Sequence, residues 1–272
     1  MTPMRLQVLH ETHYDYDTPL AYSAQRLHLT PLNFASQKVV SWTIATPGIE
    51  AALTYLDGFG NRVHLVTCEN QTGPVSIVAS GIVEVSDTAG VVRGLTCAAP
   101  DAVFLRQTRA TQPSAAIASL ASRVAGLYPN TLELLHALMG EIHARVIYEI
   151  GSTHAHTTGA EAFAEGRGVC QDHAHIFIGA GRTLGLPSRY VTGYLVTGDG
   201  ASSTAAHAWA ETLVPNLGWV GFDPANCKCP TDHYVRVAGG IDAGGVTPIR
   251  GTRRGGDSER MRVEVRVEIA QQ

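Results

Sequence analysis

The chain has 272 residues, 44% hydrophobic and 16% charged, the proportions of a globular protein of one large domain or, as the better fit, two ordinary ones. A formal net charge of -4 excludes bulk attraction to nucleic acid or an anionic membrane, and no basic run exceeds Arg253-Arg254. No stretch approaches the ~20 apolar residues of a membrane span. Five cysteines, at 68, 97, 170, 227 and 229, are an odd number without a secretion signal, so the expectation is a cytoplasmic protein with no disulfide framework. Cys227-Lys228-Cys229 is too tightly spaced for the usual zinc pattern.

Taken in chain order, residues 1–97 alternate in the manner of strands at Leu6 to Leu9, Val40 to Ile44, Val63 to Val66 and Val75 to Val85. Asp57-Gly58-Phe59-Gly60-Asn61 predicts a hairpin turn, because several of its residues tolerate positive φ. Short antiparallel strands at this spacing predict a β-sandwich. The texture changes after Cys97-Ala98-Ala99-Pro100, which sets a second domain at 98–272. There the spacing predicts helices over Pro113 to Tyr128, with Pro113 at the first helical position, and over Asn130 to Tyr148, with Asn130 as cap and Leu135, Leu138, Ile142 and Val146 as its buried stripe. A short helix over Ala160 to Glu165 leads into another over Gln171 to Leu184. Strands follow at Arg189 to Val196, His207 to Val214, Trp219 to Asp223 and Met261 to Ile269, while the glycine-rich stretch Gly239 to Gly256 reads as a surface loop. Helices first and an antiparallel sheet afterwards make the fold class α+β.

The chemistry centres on Cys170, which closes the turn Gly166-Arg167-Gly168-Val169 and opens a helix. The first N–H groups of a helix have no intrahelical partner and its dipole adds partial positive charge, so a nucleophilic sulfur is favoured there. His207 and Asp223 follow in the order that supplies a base and an orienting carboxylate. They lie on two arms of a hairpin that turns at Pro215-Asn216-Leu217-Gly218. If Val214 pairs with Gly218 around a three-residue loop, Asp223 falls opposite Trp209 and His207 is its diagonal neighbour on the same face; a two- or four-residue loop without a bulge separates them. Each residue also has a plainer reading: a small buried thiol, a satisfied core histidine, a turn-starting Asp-Pro.

Gly168-Val169-Cys170-Gln171-Asp172-His173-Ala174-His175, Leu184 to Tyr194, His207-Ala208-Trp209-Ala210-Glu211 and Gly218 to Asn226 resemble the bacterial transglutaminase-like superfamily. Tyr14-Asp15-Tyr16-Asp17, Pro19 and the Asp57 to Asn61 turn resemble the β-rich N-terminal domain that accompanies that core, and the likeness continues through Tyr234 to Ala238 to the last strand. The resemblance implies a papain-like core with Cys170 as nucleophile, His207 as general base and acid, and Asp223 as the residue that orients the imidazole. It implies an oxyanion site of backbone N–H groups near Cys170, for which Tyr148 and Gln171 are nominated as further donors, with Trp209 and Trp219 as walls or core. The chain departs from the family in having Thr204-Ala205-Ala206 before the histidine and histidine, where an aromatic is common, at 173.

The expected activity is cysteine-dependent hydrolysis of amide bonds in a peptide or protein through an acyl-enzyme, with no cofactor. The alternative transfers the acyl group from glutamine to an amine; hydrolysis is favoured because no calcium-loop pattern accompanies the core. Lesser alternatives are a metal site built from His154, His156, His173, His175 and Asp172, and an inactive binding module. Oligomeric state, a homodimer included, is left open.

Overall fold

A computed structural model describes residues 3–196 and 206–270. The first part of the chain supplies β1 (Met4–Asp15), β2 (Leu20–Thr30), β3 (Gln37–Ala45), β4 (Leu53–Leu56), β5 (Arg62–Gln71), β6 (Val75–Val85) and the short β7 (Val91–Val92). Then come α1 (Ala115–Leu127), α2 (Thr131–Arg145), β8 (Ile147–Tyr148), α3 (Gly159–Glu165), β9 (Arg167–Gly168) and α4 (Cys170–Thr183). The chain finishes with β10 (Ser188–Leu195), β11 (His207–Val214), β12 (Gly218–Phe222), β13 (Tyr234–Gly240), β14 (Ile249–Gly255) and β15 (Arg260–Ile269). The class is α+β, as the order of patterns implies.

Two antiparallel sheets, in the orders β15-β1-β6-β3 and β14-β2-β5-β4, form the N-terminal sandwich around Tyr14, Leu27, Leu29, Val66, Ile77 and Ala79. Its outer strands β14 and β15 come from the far end of the chain, so the expected division at residue 97 does not follow the strand pairing. Residues 249–269 return to the sandwich, and β7 joins the core sheet by pairing with β12. The Gly239 to Gly256 stretch is corrected with it: a hydrogen-bonded partner, β2, makes a strand of a segment whose glycines and arginines conceal any alternation. The strand β2 itself was not predicted either.

The core sheet, ordered β13-β10-β11-β12-β7, carries α4 packed against β11 and β10. Apolar side chains bury α4 on nearly every side, which makes it the central helix of the domain. Helix α1 begins at Ala115, later than Pro113 would place it, because Ser114 Oγ accepts from Ile117 N–H and serves as cap. Asn130 caps α2 as expected, accepting from Leu132 and Glu133 N–H at 2.9 and 3.2 Å. That helix stops at Arg145, short of Tyr148, because Ile147 and Tyr148 leave it to pair in parallel with Arg167 and Gly168.

The sandwich also closes the core sheet's free edge. Gln37 Nε2 donates to Arg236 carbonyl (2.9 Å) while Arg236 N–H donates to Gln37 Oε1 (2.7 Å), and Asn61 makes the same pair of bonds with Gly239 at 2.9 and 2.8 Å. Two buried carboxamides therefore satisfy backbone groups of β13 that an edge strand leaves unpaired. Behind them lies an ion cluster: Glu211 on β11 takes Arg189 Nε at 2.6 Å and Arg236 Nε at 2.9 Å, with all three side chains buried. Burial alone raises the Glu211 carboxyl, but the two guanidiniums hold it down at about 2.

Two other buried groups set the acid response of the fold. His10 hydrogen-bonds Tyr194 across the domain contact at 2.9 Å, and burial pushes its pKa down to about 4. His175 is pushed down to about 4 by burial, with Arg182 adding to the effect. Both rings fold neutral, whereas in the unfolded chain they gain protons below 6.5. Stability is therefore expected to fall as pH drops from about 6.5 to about 4, by on the order of 2–3 kcal/mol per histidine. Glu211 adds a loss of its own as pH falls from about 4.5 toward about 2. Urea midpoints at pH 7, 5.5 and 4.5 check this, and replacing His10 with Gln is expected to flatten the trend.

Candidate active site

The turn before α4 is built by close approach. Gly168 lies so near Asp172 that a Cβ there would come within 2.8 Å of the Asp172 Cβ and 2.9 Å of Oδ2. The Asp172 carboxylate accepts from Val169 N–H at 2.9 Å and from Thr153 Oγ1 at 2.6 Å, which fixes the turn and the first residue of the helix. His173 lies entirely buried, its Nδ1 2.9 Å from the Val169 carbonyl and its Nε2 2.9 Å from the Val146 carbonyl. It ties the turn to the start of β8, with both ring nitrogens taken by backbone carbonyls. The first helical bonds run from Asp172 and His173 N–H to Val169, which leaves the N–H groups of Cys170 and Gln171 ahead of the ladder.

The hairpin has the register that a shared face requires. Val214 pairs with Gly218 and Ala210 with Phe222, and Asn216 and Gly218 take positive φ of 65° and 88° to close the three-residue loop. Asp223, one residue beyond β12, thus lies opposite Trp209, and its Oδ2 is 2.7 Å from His207 Nε2. That bond, and a longer contact of Nε2 with Asn226 at 3.4 Å, leave the other imidazole nitrogen open, and Cys170 is near enough to act on the ring. Trp209 is buried beneath the ring, stacked at 6.3 Å between centroids. Gly193, cross-strand from His207, makes room: a Cβ there would meet the Trp209 ring at 2.8 Å and the Val235 carbonyl at 2.1 Å.

Two residues not foreseen from the sequence hold the carboxylate. Tyr234 Oη donates to Asp223 Oδ2 at 2.8 Å, and Asn226 Nδ2 donates to the same oxygen at 2.8 Å, while Ala225 and Asn226 N–H donate to Oδ1 at 3.1 and 3.3 Å. Burial on its own raises the Asp223 carboxyl, but His207 and these donors bring it below the usual carboxylate range. Burial likewise lowers the imidazole, yet the bonds to Asp223 and then Cys170 push it up to about 10. The ring is therefore charged at neutral pH. Its stabilising contribution is complete below 6.5 and lost as pH rises through about 10. Asn226 sits in a turn that Asp223 itself nucleates, a signal readable from an Asp three residues upstream. Tyr234 arrives from β13, which pairs with β10 and not with the hairpin, so no local spacing reveals it.

Replacing Tyr234 with Phe is expected to lower kcat about tenfold with KM little changed and to cost about 1–2 kcal/mol of stability, since one charge-assisted bond is lost from a carboxylate that keeps its others. Steady-state kinetics and a urea titration read the two effects.

Of the other nominated residues, Tyr148 is half-exposed against the His173 ring: burial, then the Cys170 and Asp223 charges, push its phenol up to about 12. Gln171 Nε2 points to the Ala155 carbonyl at 3.5 Å. Trp219 is partly buried, with the Arg189 guanidinium 4.0 Å above its ring and Phe104 at its edge. The histidines do not gather. His154 and His156 are exposed, His173 is taken by carbonyls, and His175 Nε2 accepts from Ala243 N–H at 3.2 Å. Among the described residues no group of three or more potential ligands forms, and no helix there is long and apolar enough to cross a membrane. Thr204 and Ala205, in the lead to His207, lie outside the described residues.

Residues 118–224 match the transglutaminase-like superfamily, and residues 6–84 match the bacterial transglutaminase-like N-terminal region. Residues 118–224 belong to this superfamily, joined in one polypeptide to the bacterial N-terminal region. Among the chain's relatives is an uncharacterised protein of Mycobacterium leprae, 28% identical over 265 residues that span 92% of this chain and 94% of the relative. Another, from Mycobacterium tuberculosis, is 29% identical over 278 residues, covering 91% and 87%. A solved structure from Cytophaga hutchinsonii, named as a candidate cysteine protease, superposes with a TM-score of 0.75 at 23% identity over 97% of this chain and 91% of that one. It shares the whole fold, sandwich included.

Proposed function

We propose that the protein is a cysteine-dependent amide-bond hydrolase acting on peptide or protein substrates, with Cys170, His207 and Asp223 as its triad. The observation that carries this reading is the buried 2.7 Å bond from Asp223 to His207, an imidazole that a cysteine at a helix start helps to hold charged. An imidazolium beside the sulfur favours the thiolate as nucleophile. The thiolate attacks the amide carbonyl, and the N–H groups at the start of α4 receive the developing oxyanion. His207 gives its proton to the departing amine, leaving a thioester on Cys170. The now neutral imidazole takes a proton from water, whose oxygen attacks the thioester and releases the acid, and the proton returns the ion pair. Asp223 keeps the ring turned and stabilises its charge without itself being protonated.

An incoming amine in place of water would give acyl transfer by the same steps. Incubating the enzyme with a glutamine peptide and a labelled primary amine, then weighing the products, separates the two. Hydrolysed peptide in excess is the expected result, and amine incorporation outpacing hydrolysis would replace this reading with transglutamination. The scattered, unpaired cysteines support residence in a reducing cytoplasm as part of the same proposal.

A further inference from the structure

An open groove of about 510 Å³ runs beside the nucleophile turn, with Gln171, the residue next to Cys170, in one wall. Tyr190 and Thr192 of β10 line it from the core, and Thr247 and Arg250 line it from the returning chain that forms β14. Its connection to the sulfur does not rest on Gln171 alone: burial first, and then the neighbouring Cys170 side chain, raise the Tyr190 phenol well above its ordinary range.

The charge in this groove is one-sided. No carboxylate lines it, whereas Arg250 and His156 do. Arg250 spends one N–H on the Gly244 carbonyl at 3.1 Å, and among the described residues no carboxylate lies within salt-bridge reach of its guanidinium. Asp242, on the stretch that leads into β14, is turned to Gly245 N–H at 3.1 Å. Directly across the ladder from Arg250 stands Arg26, on the same face of the sheet and likewise without an acidic partner among the described residues. Like charges placed directly opposite one another destabilise a sheet, so the pair costs the fold something that an anion between the two would relieve.

We propose that this groove is a subsite for a carboxylate carried by the amide substrate, held by Arg250 with Arg26 reinforcing its field. The proposal rests on the hydrolase reading of Cys170 and deepens it by naming an acidic substrate class. It also gives the sandwich a part in recognition, since β2 and β14 place both guanidiniums. The carboxylate could belong to a Glu or Asp side chain or to a free C-terminus.

Peptidyl epoxide probes that alkylate Cys170 test the subsite, with extensions built to either side of the electrophile. One pair of each series differs only in Glu against Gln, and another only in a free against an amidated C-terminus. Labelling rates at Cys170 are read by mass spectrometry and normalised to iodoacetamide. The expected result is a preference of about tenfold for one carboxylate-bearing member, falling with added salt, and the pair that shows it identifies the source. That preference is expected to vanish in Arg250→Gln and to reverse toward a Lys-bearing probe in Arg250→Glu. Equal labelling by all pairs, with iodoacetamide still selecting Cys170, would overturn the subsite and leave the nucleophile standing. Loss of iodoacetamide selectivity for Cys170 would overturn both.

Discussion

A Cys170→Ala variant is expected to fold as the parent does and to lose turnover by ~10⁴-fold or more. The sulfur is only partly buried at the start of α4, and the contacts that shape the turn belong to Gly168, Val169, Asp172 and His173 and not to the thiol. Removing one sulfur thus erases the bond-forming atom and little else. His207→Ala is expected to fall nearly as far, because it removes both the partner that charges the sulfur and the proton donor for the leaving amine. Asp223→Asn is expected to hurt less, since an amide still accepts one hydrogen bond but no longer stabilises the imidazolium. Thermal melts alongside single-turnover kinetics separate loss of chemistry from loss of fold.

The largest effect on stability is expected at Glu211. Its carboxylate is the sole acidic partner that the described residues give to the buried guanidiniums of Arg189 and Arg236. Glu211→Ala leaves two cations in the interior with a void between them, and the variant is expected to lose about 3–5 kcal/mol, enough to unfold many domains of this kind. The exposed pair of Arg123 and Glu141 provides the contrast: solvent screens it, so Glu141→Ala is expected to cost under about 1 kcal/mol. Urea denaturation measures both. Replacing Arg189, Glu211 and Arg236 together with apolar residues of similar volume is expected to recover most of the loss, since the penalty lies in unpaired buried charge and not in a missing attraction.

The proposed triad is legible because each of its members belongs to a local pattern. A glycine turn marks the start of a helix, and a loop of countable length fixes the parity of a hairpin, so Cys170, His207 and Asp223 could be related before any coordinate was known. The same locality explains the failures. Strands β14 and β15 read as appendages of the core because nothing in residues 249–269 states that their partners are β2 and β1, more than two hundred positions earlier. Tyr234 and the Gln37 and Asn61 clasps likewise depend on which strand lies at an edge, a property of topology. The setting of His173 is likewise hidden from its spacing: the Val146 carbonyl, where α2 gives way to β8, and the Val169 carbonyl, where α4 begins, claim both ring nitrogens.

The central claim is that His207 activates Cys170, and the most direct measurement is the rate of alkylation of each thiol by iodoacetamide at pH 6. Cys227 is exposed, whereas Cys170 is partly covered, so access alone favours Cys227. An ordinary thiol is almost wholly protonated at that pH, while one paired with an imidazolium reacts as the thiolate. Mass spectrometry of the modified peptides is expected to find Cys170 at least about tenfold faster than Cys227, Cys68 or Cys97, with the advantage lost in His207→Ala. A Cys170 that reacts no faster than those three, or whose rate is indifferent to the loss of His207, would contradict the account.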